Sequence, residues 1–121
     1  MTDRKPTELE ICARRLYDEG KAWCEAKLKH ELLEKDKDSF LSALIGELRK
    51  ADPEASEKRL ETDAKASEQY RAYIRGMVLA QNAALVARVR YDATDKLFSA
   101  KQSDQSLERA KLERNIYHEG R

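Results

Sequence analysis

Apolar side chains recur every three or four positions through most of this chain, the spacing that gathers them on one side of an α-helix. Leu9, Cys12, Leu16, Trp23, Ala26, His30 and Leu33 form the first such stripe. Ahead of it, Pro6-Thr7-Glu8-Leu9-Glu10 reads as a helix start. The Thr7 hydroxyl caps the first turn and Glu10, three residues on, reaches back to the cap amide. This pattern predicts a helix over about 7–35. Lys35-Asp36-Lys37-Asp38-Ser39 is a polar break in which Asp38 or Ser39 suits a new cap. Phe40, Leu41, Leu44, Ile45 and Leu48 then predict a short helix over about 39–50.

Asp52-Pro53 is the clearest punctuation, since Asp is a good N-cap and Pro loses nothing at the first helical position. From Pro53 to about Lys101 only Gly76 interrupts the pattern, which predicts one long central helix over about 53–101. At 1.5 Å per residue it measures roughly 73 Å, against a radius of gyration near 14 Å for a compact domain of this size. Either the helix breaks near Gly76 or it belongs to an elongated structure, and the second is the expectation. Leu107, Ala110, Leu112 and Ile116 mark a last, thinner helix over about 104–117. The expected architecture is all-α: a single domain over 1–121, an elongated helical hairpin or bundle completed by homodimerisation.

The most informative segment lies in the long helix. Residues 69–91 contain no acidic side chain, and Met77 to Ala87 is apolar at nine of eleven positions, as expected of a helix covered on more than one side. Tyr70, Met77, Ala84, Tyr91 and Phe98 repeat at sevens, with Tyr73, Ala80, Ala87 and Thr94 between them. That is an a/d seam of about four heptads. It is expected to serve as core or as oligomer interface, with Trp23, Phe40, Leu44 and Leu48 as core or docking residues. Leu79, Ala83, Val86 and Ala93 form a second stripe on another face, available to the 39–50 segment or to a second subunit.

Composition sharpens the class. Ala, Glu, Lys, Leu and Arg make up 68 of the 121 residues, a bias typical of long helices and coiled coils. Four glycines and two prolines are too few for the turns of a many-stranded sandwich or barrel. Formal net charge is +1, so the charge imbalance that keeps chains disordered is missing. No apolar run reaches the length of a membrane span and no signal peptide opens the chain, which points to a cytoplasmic protein with no membrane role.

Candidate chemistry is sparse. His30, Glu34 and Cys24 lie near one another in sequence, but a lone His-x-x-x-Glu is common in charged helices and lacks the paired motifs of metal sites. No phosphate loop or nucleophile elbow occurs, so neither enzyme activity, nor a cofactor, nor a metal is expected. Cys12 and Cys24 are read as small packing residues. Arg88 falls on the apolar arc and needs a partner, most simply Asp92 one turn on. Charge is unevenly spread: residues 31–63 carry ten acidic and six basic groups, residues 64–100 three acidic and six basic. Arg71, Arg75, Arg88 and Arg90, interleaved with tyrosines, offer a possible contact face for single-stranded nucleic acid. The sequence thus predicts a non-enzymatic, self-associating helical module, an adaptor or accessory protein that is a homodimer and binds another protein. The alternative is a nucleic-acid-associated accessory protein using the basic face.

Overall fold

The computed structural model describes residues 4–119, with side chains to residue 116. Three helices account for it: α1 (Glu8–Ala51), α2 (Glu57–Ala66) and α3 (Glu68–Glu119), and no strand occurs among the described residues. The all-α class expected from periodicity is therefore what the chain forms. Among the described residues no helix is long and apolar enough to cross a membrane.

The boundaries differ from those expected, each for a local reason. The helix start holds: the Glu10 amide donates to the Thr7 hydroxyl at 3.1 Å, although the Glu10 carboxylate turns outward to Arg4 rather than back to the cap. The expected helices 7–35 and 39–50 are one helix, α1. Residues 35–39 contain no Gly or Pro, and the three-four spacing runs through them unbroken as Leu33, Lys37, Phe40 and Leu44, all half-buried. Lys37 is half-buried, and a lysine keeps such a phase by laying its aliphatic stem along the stripe with the ammonium in water. Acidic and basic side chains in that stretch cost only tenths of a kcal/mol each in helix propensity, less than the packing they preserve.

The expected helix 53–101 is interrupted, and not at Gly76. Asp52 closes α1, its amide donating to the Leu48 carbonyl, and residues 52–55 form a turn in which the Ala55 amide donates to the Asp52 carbonyl at 3.3 Å. Ser56, not Asp52, caps α2 by accepting from the Arg59 amide. The second break falls at Ser67, which is extended (φ −69°, ψ 152°). Its hydroxyl donates to the Ala64 carbonyl at 2.6 Å and accepts from the Tyr70 amide at 3.2 Å. A residue that satisfies both the last carbonyl of one helix and the first amide of the next is a better break point than a flexible one. Gly76 stays helical inside α3, and the expected separate helix 104–117 is simply the continuation of α3.

Contacts group the chain into two units, Cys24–Val86 and Met1–Trp23 with Ala87–Arg121. In the 24–86 unit the α1 and α3 segments run antiparallel: Tyr73 lies against Leu33 and Phe40, while Ala26 shares a groove with Ala80 and Ala83. Here α2 is the third helix. It buries Leu60 and Ala64, one turn apart, to 2% and 0% exposure, and leaves its charged residues in water. Its first turn is tied to α1, where Glu57 accepts from Arg49; at its other end Lys65 bonds Glu61, which holds it above its ordinary pKa of 10.5, and Asp38 of α1 adds a smaller pull. In the other unit the pairing is again antiparallel, with Glu8 near Lys101, Glu19 near Thr94 and Trp23 against Tyr91.

Candidate interaction surface

Several heptad residues of α3 meet α1, among them Tyr73 against Phe40 and Tyr91 against Trp23. Tyr70, Tyr73, Met77, Ala84, Ala87, Tyr91 and Phe98 are half-buried and Ala80 is buried. On α1, Trp23, Phe40, Leu44 and Leu48 are half-buried in turn. In the 24–86 unit Phe40 stacks on Tyr73, with ring centroids 4.5 Å apart and planes 18° from parallel. The Tyr73 hydroxyl donates to the Leu33 carbonyl. Burial, with a smaller contribution from Asp36, holds the phenol above its ordinary pKa of 10.0.

In the other unit Trp23 and Tyr91 pack at 5.4 Å with their planes tilted by 36°. The Arg88 guanidinium sits 5.9 Å from the Trp23 ring centre while its Nε lies 3.8 Å from Asp92, so the partner expected from sequence is joined by an aromatic face. Gly20 admits the Tyr91 ring: a Cβ there would lie 3.1 Å from Cε2. Thr94 is buried, and its hydroxyl donates to the Glu19 carboxylate, which also accepts from Arg15 Nε at 2.9 Å. These bonds, that of Thr94 first, hold Glu19 below its ordinary pKa of 4.5. The folded chain therefore binds this proton less readily than the unfolded one. Stability is full above pH 4.5 and declines as pH falls through the lower folded-state value. In Glu19→Gln the acid limb of a thermal-stability profile is expected to flatten below pH 4.5. An unchanged acid limb would show that the carboxylate contributes nothing to it.

With the tyrosines engaged, the basic face looks different from its appearance in sequence. Arg71, Arg75, Arg88 and Arg90 are exposed, yet each has a carboxylate nearby. Arg75 bonds Glu68 at 2.6 Å and Arg71 also attracts it; Arg88 pairs with Asp92, and Arg90 attracts Glu19. Tyr70, Tyr73 and Tyr91 lie in the packed seam rather than on a stacking surface. His30, half-buried, has its Nε2 3.3 Å from Glu34. Cys24 is exposed and Cys12 buried. Among the described residues no cluster of three or more His, Cys, Asp or Glu side chains is placed to hold a metal ion. A hollow of about 520 Å³ in the 1–23/87–121 unit is lined by charges of both signs, among them Arg14, Asp18, Glu19 and Arg90, around Ile11 and Ala87.

What the chain leaves open is apolar. Leu79 is 69% exposed, and Ala83, Val86 and, in the other unit, Ala93 are exposed as well. The second stripe read from sequence is thus uncovered. Two α1 residues that sequence reasoning missed, Leu28 and Leu32, are 56% and 50% exposed in the 24–86 unit. Their signal was present as an i,i+4 leucine pair beside the main stripe. The chain matches no family model, no curated protein and no solved structure.

Proposed function

We propose that this chain is a non-enzymatic, self-associating helical module that acts by binding protein, first of all a second copy of itself. The observation that carries the reading is the amount of surface left uncovered. The chain exposes 10004 Å². A compact 14.0 kDa monomer exposes roughly 6,700 Å², and even two separate bodies of half that mass expose roughly 8,100 Å² together. The excess of roughly 1,900 Å² over the larger figure is more than twice the ~800 Å² that each partner gives to an interface of standard size. The exposed side chains include large apolar ones, from Leu28, Leu32 and Leu79 in one unit to Leu97, Leu107 and Leu112 in the other. Large exposed apolar surface is characteristic of chains that meet a partner.

The nucleic-acid reading has less support, because the four arginines have carboxylate neighbours and the tyrosines are packed. Light scattering behind a sizing column, at two salt concentrations, tests the choice. A mass of twice 14.0 kDa that persists in salt is expected. A monomer at every concentration, joined by salt-sensitive binding of a single-stranded oligonucleotide, would favour the basic face instead.

A further inference from the structure

Three exposed leucines of the 24–86 unit, Leu28, Leu32 and Leu79, line two hollows that share Lys29. On α3 a groove of about 270 Å³ runs beside Gly76, Leu79 and Ala83, and α1 closes its other side with Ala26 and Lys29. Lys29 also lines the adjoining hollow of about 340 Å³ on α1, with Glu25, Leu28, Leu32 and Asp36. The floor is low because Gly76 has no side chain, and a Cβ built there meets nothing within 4 Å. Leu79 and Lys29 line the same groove, and Leu32 stands three residues, about one helical turn, from Lys29 along α1. Among the described residues Lys29 and Asp36 form no ion pair, while Lys27, two positions from Lys29, is 4.0 Å from Glu31.

We propose that this face is where a second copy of the chain docks, the two copies related by a two-fold axis that crosses the helices between Leu32 and Leu79. The proposal rests on the self-association reading above and names its surface. An axis there runs each α1 antiparallel to its counterpart, and each α3 likewise. Leu32 and Leu79 of both copies then meet at the centre, where small residues such as Gly76 and Ala83 let the backbones approach. Lys29 stands four positions toward the N-terminus from Leu33 and Asp36 three toward the C-terminus. An antiparallel pairing centred between residues 32 and 33 therefore sets Lys29 opposite the partner's Asp36, twice over, as isologous symmetry requires. The two charges unpaired within one chain become each other's partners. A second copy is favoured over an unrelated protein because the face carries both halves of this pairing.

The test is the mass of the full chain and of three variants by light scattering over a concentration series. Leu79→Glu places a carboxylate at the centre of the interface and is expected to raise the dimer dissociation constant about a hundredfold or more, with helicity retained because the side chain is exposed within one chain. Lys29→Asp weakens association by like-charge repulsion, and adding Asp36→Lys to it restores association by reversing both charges. The charge pair keeps the test decisive should Leu79→Glu fail to fold. A dimeric wild type whose mass is untouched by Leu79→Glu, or whose double charge variant is no tighter than Lys29→Asp alone, would overturn this face and leave self-association standing. A wild type that is monomeric throughout the series would overturn self-association itself, and this proposal with it.

Discussion

Aspartate in place of Ala64 is expected to release α2 from the 24–86 unit while leaving α1 and α3 helical. Ala64 is fully buried, and with Leu60 one turn earlier it supplies the buried apolar contact by which this ten-residue helix is held. A carboxylate there loses its water and gains no partner, a penalty of about 3–5 kcal/mol for an uncompensated buried charge. A helix this short has no independent stability to fall back on. Amide hydrogen exchange should therefore show residues 57–66 losing protection in the variant, with the urea midpoint of the whole chain lowered. Ala64→Ser, which adds a hydroxyl rather than a charge, should lie between. Protection of α2 equal to wild type in Ala64→Asp would mean that the helix is held by the Arg49–Glu57 ion pair with α1 and not by burial.

The second large effect is expected at Trp23. Its ring packs on Tyr91 and underlies the Arg88 guanidinium, so Trp23→Ala removes an aromatic contact, a cation–π contact and the largest side chain of the first stripe together. Full burial of such a ring would set the loss at 3–5 kcal/mol on truncation; Trp23 is half-buried, which puts it at about 3 kcal/mol. Among the described residues only Cys12, Leu60, Ala64 and Ala80 are buried apolar residues, so few other contacts compensate. Trp23 is the chain's one tryptophan, so the urea midpoint must be read by far-ultraviolet circular dichroism rather than fluorescence. Trp23→Phe should recover most of the loss. Equal midpoints for Trp23→Ala and wild type would show that the ring lies on the surface without holding it.

These predictions bear on different kinds of information. Trp23 could be picked out from the sequence, because it falls in phase with Leu16, Ala26 and Leu33 on one helical side. Ala64 could not. A single alanine in a charged stretch, with one leucine a turn before it, carries no periodic signal, and its burial follows from where two breaks turn α2 against its neighbours. The breaks themselves were partly legible: Asp52-Pro53 marked the first region correctly to within a few residues, while Ser67 looked like any serine in a helix. Gly76, the conspicuous weak point, stayed helical because a glycine lowers helix stability by only about 1 kcal/mol and offers no group to cap the broken ends. The polar run at 35–39 misled in the opposite direction. Its composition suggested a break, but the phase of Leu33, Lys37, Phe40 and Leu44 was kept, and phase decides whether a helix can go on burying one side.

The sequence by itself determined that the chain is helical, where its first helix starts, and that Tyr70, Met77, Ala84, Tyr91 and Phe98 recur at sevens along α3, the spacing of a seam. These are local properties, set by side-chain spacing, capping groups and the scarcity of Gly and Pro. Only the tertiary structure decided which surface covers that seam and which apolar stripe is left open. Two stripes on one helix are equivalent until another element packs on one of them. Packing of α1 against Tyr73 and Tyr91 engaged those aromatic residues within the chain and left Leu28, Leu32 and Leu79 facing water.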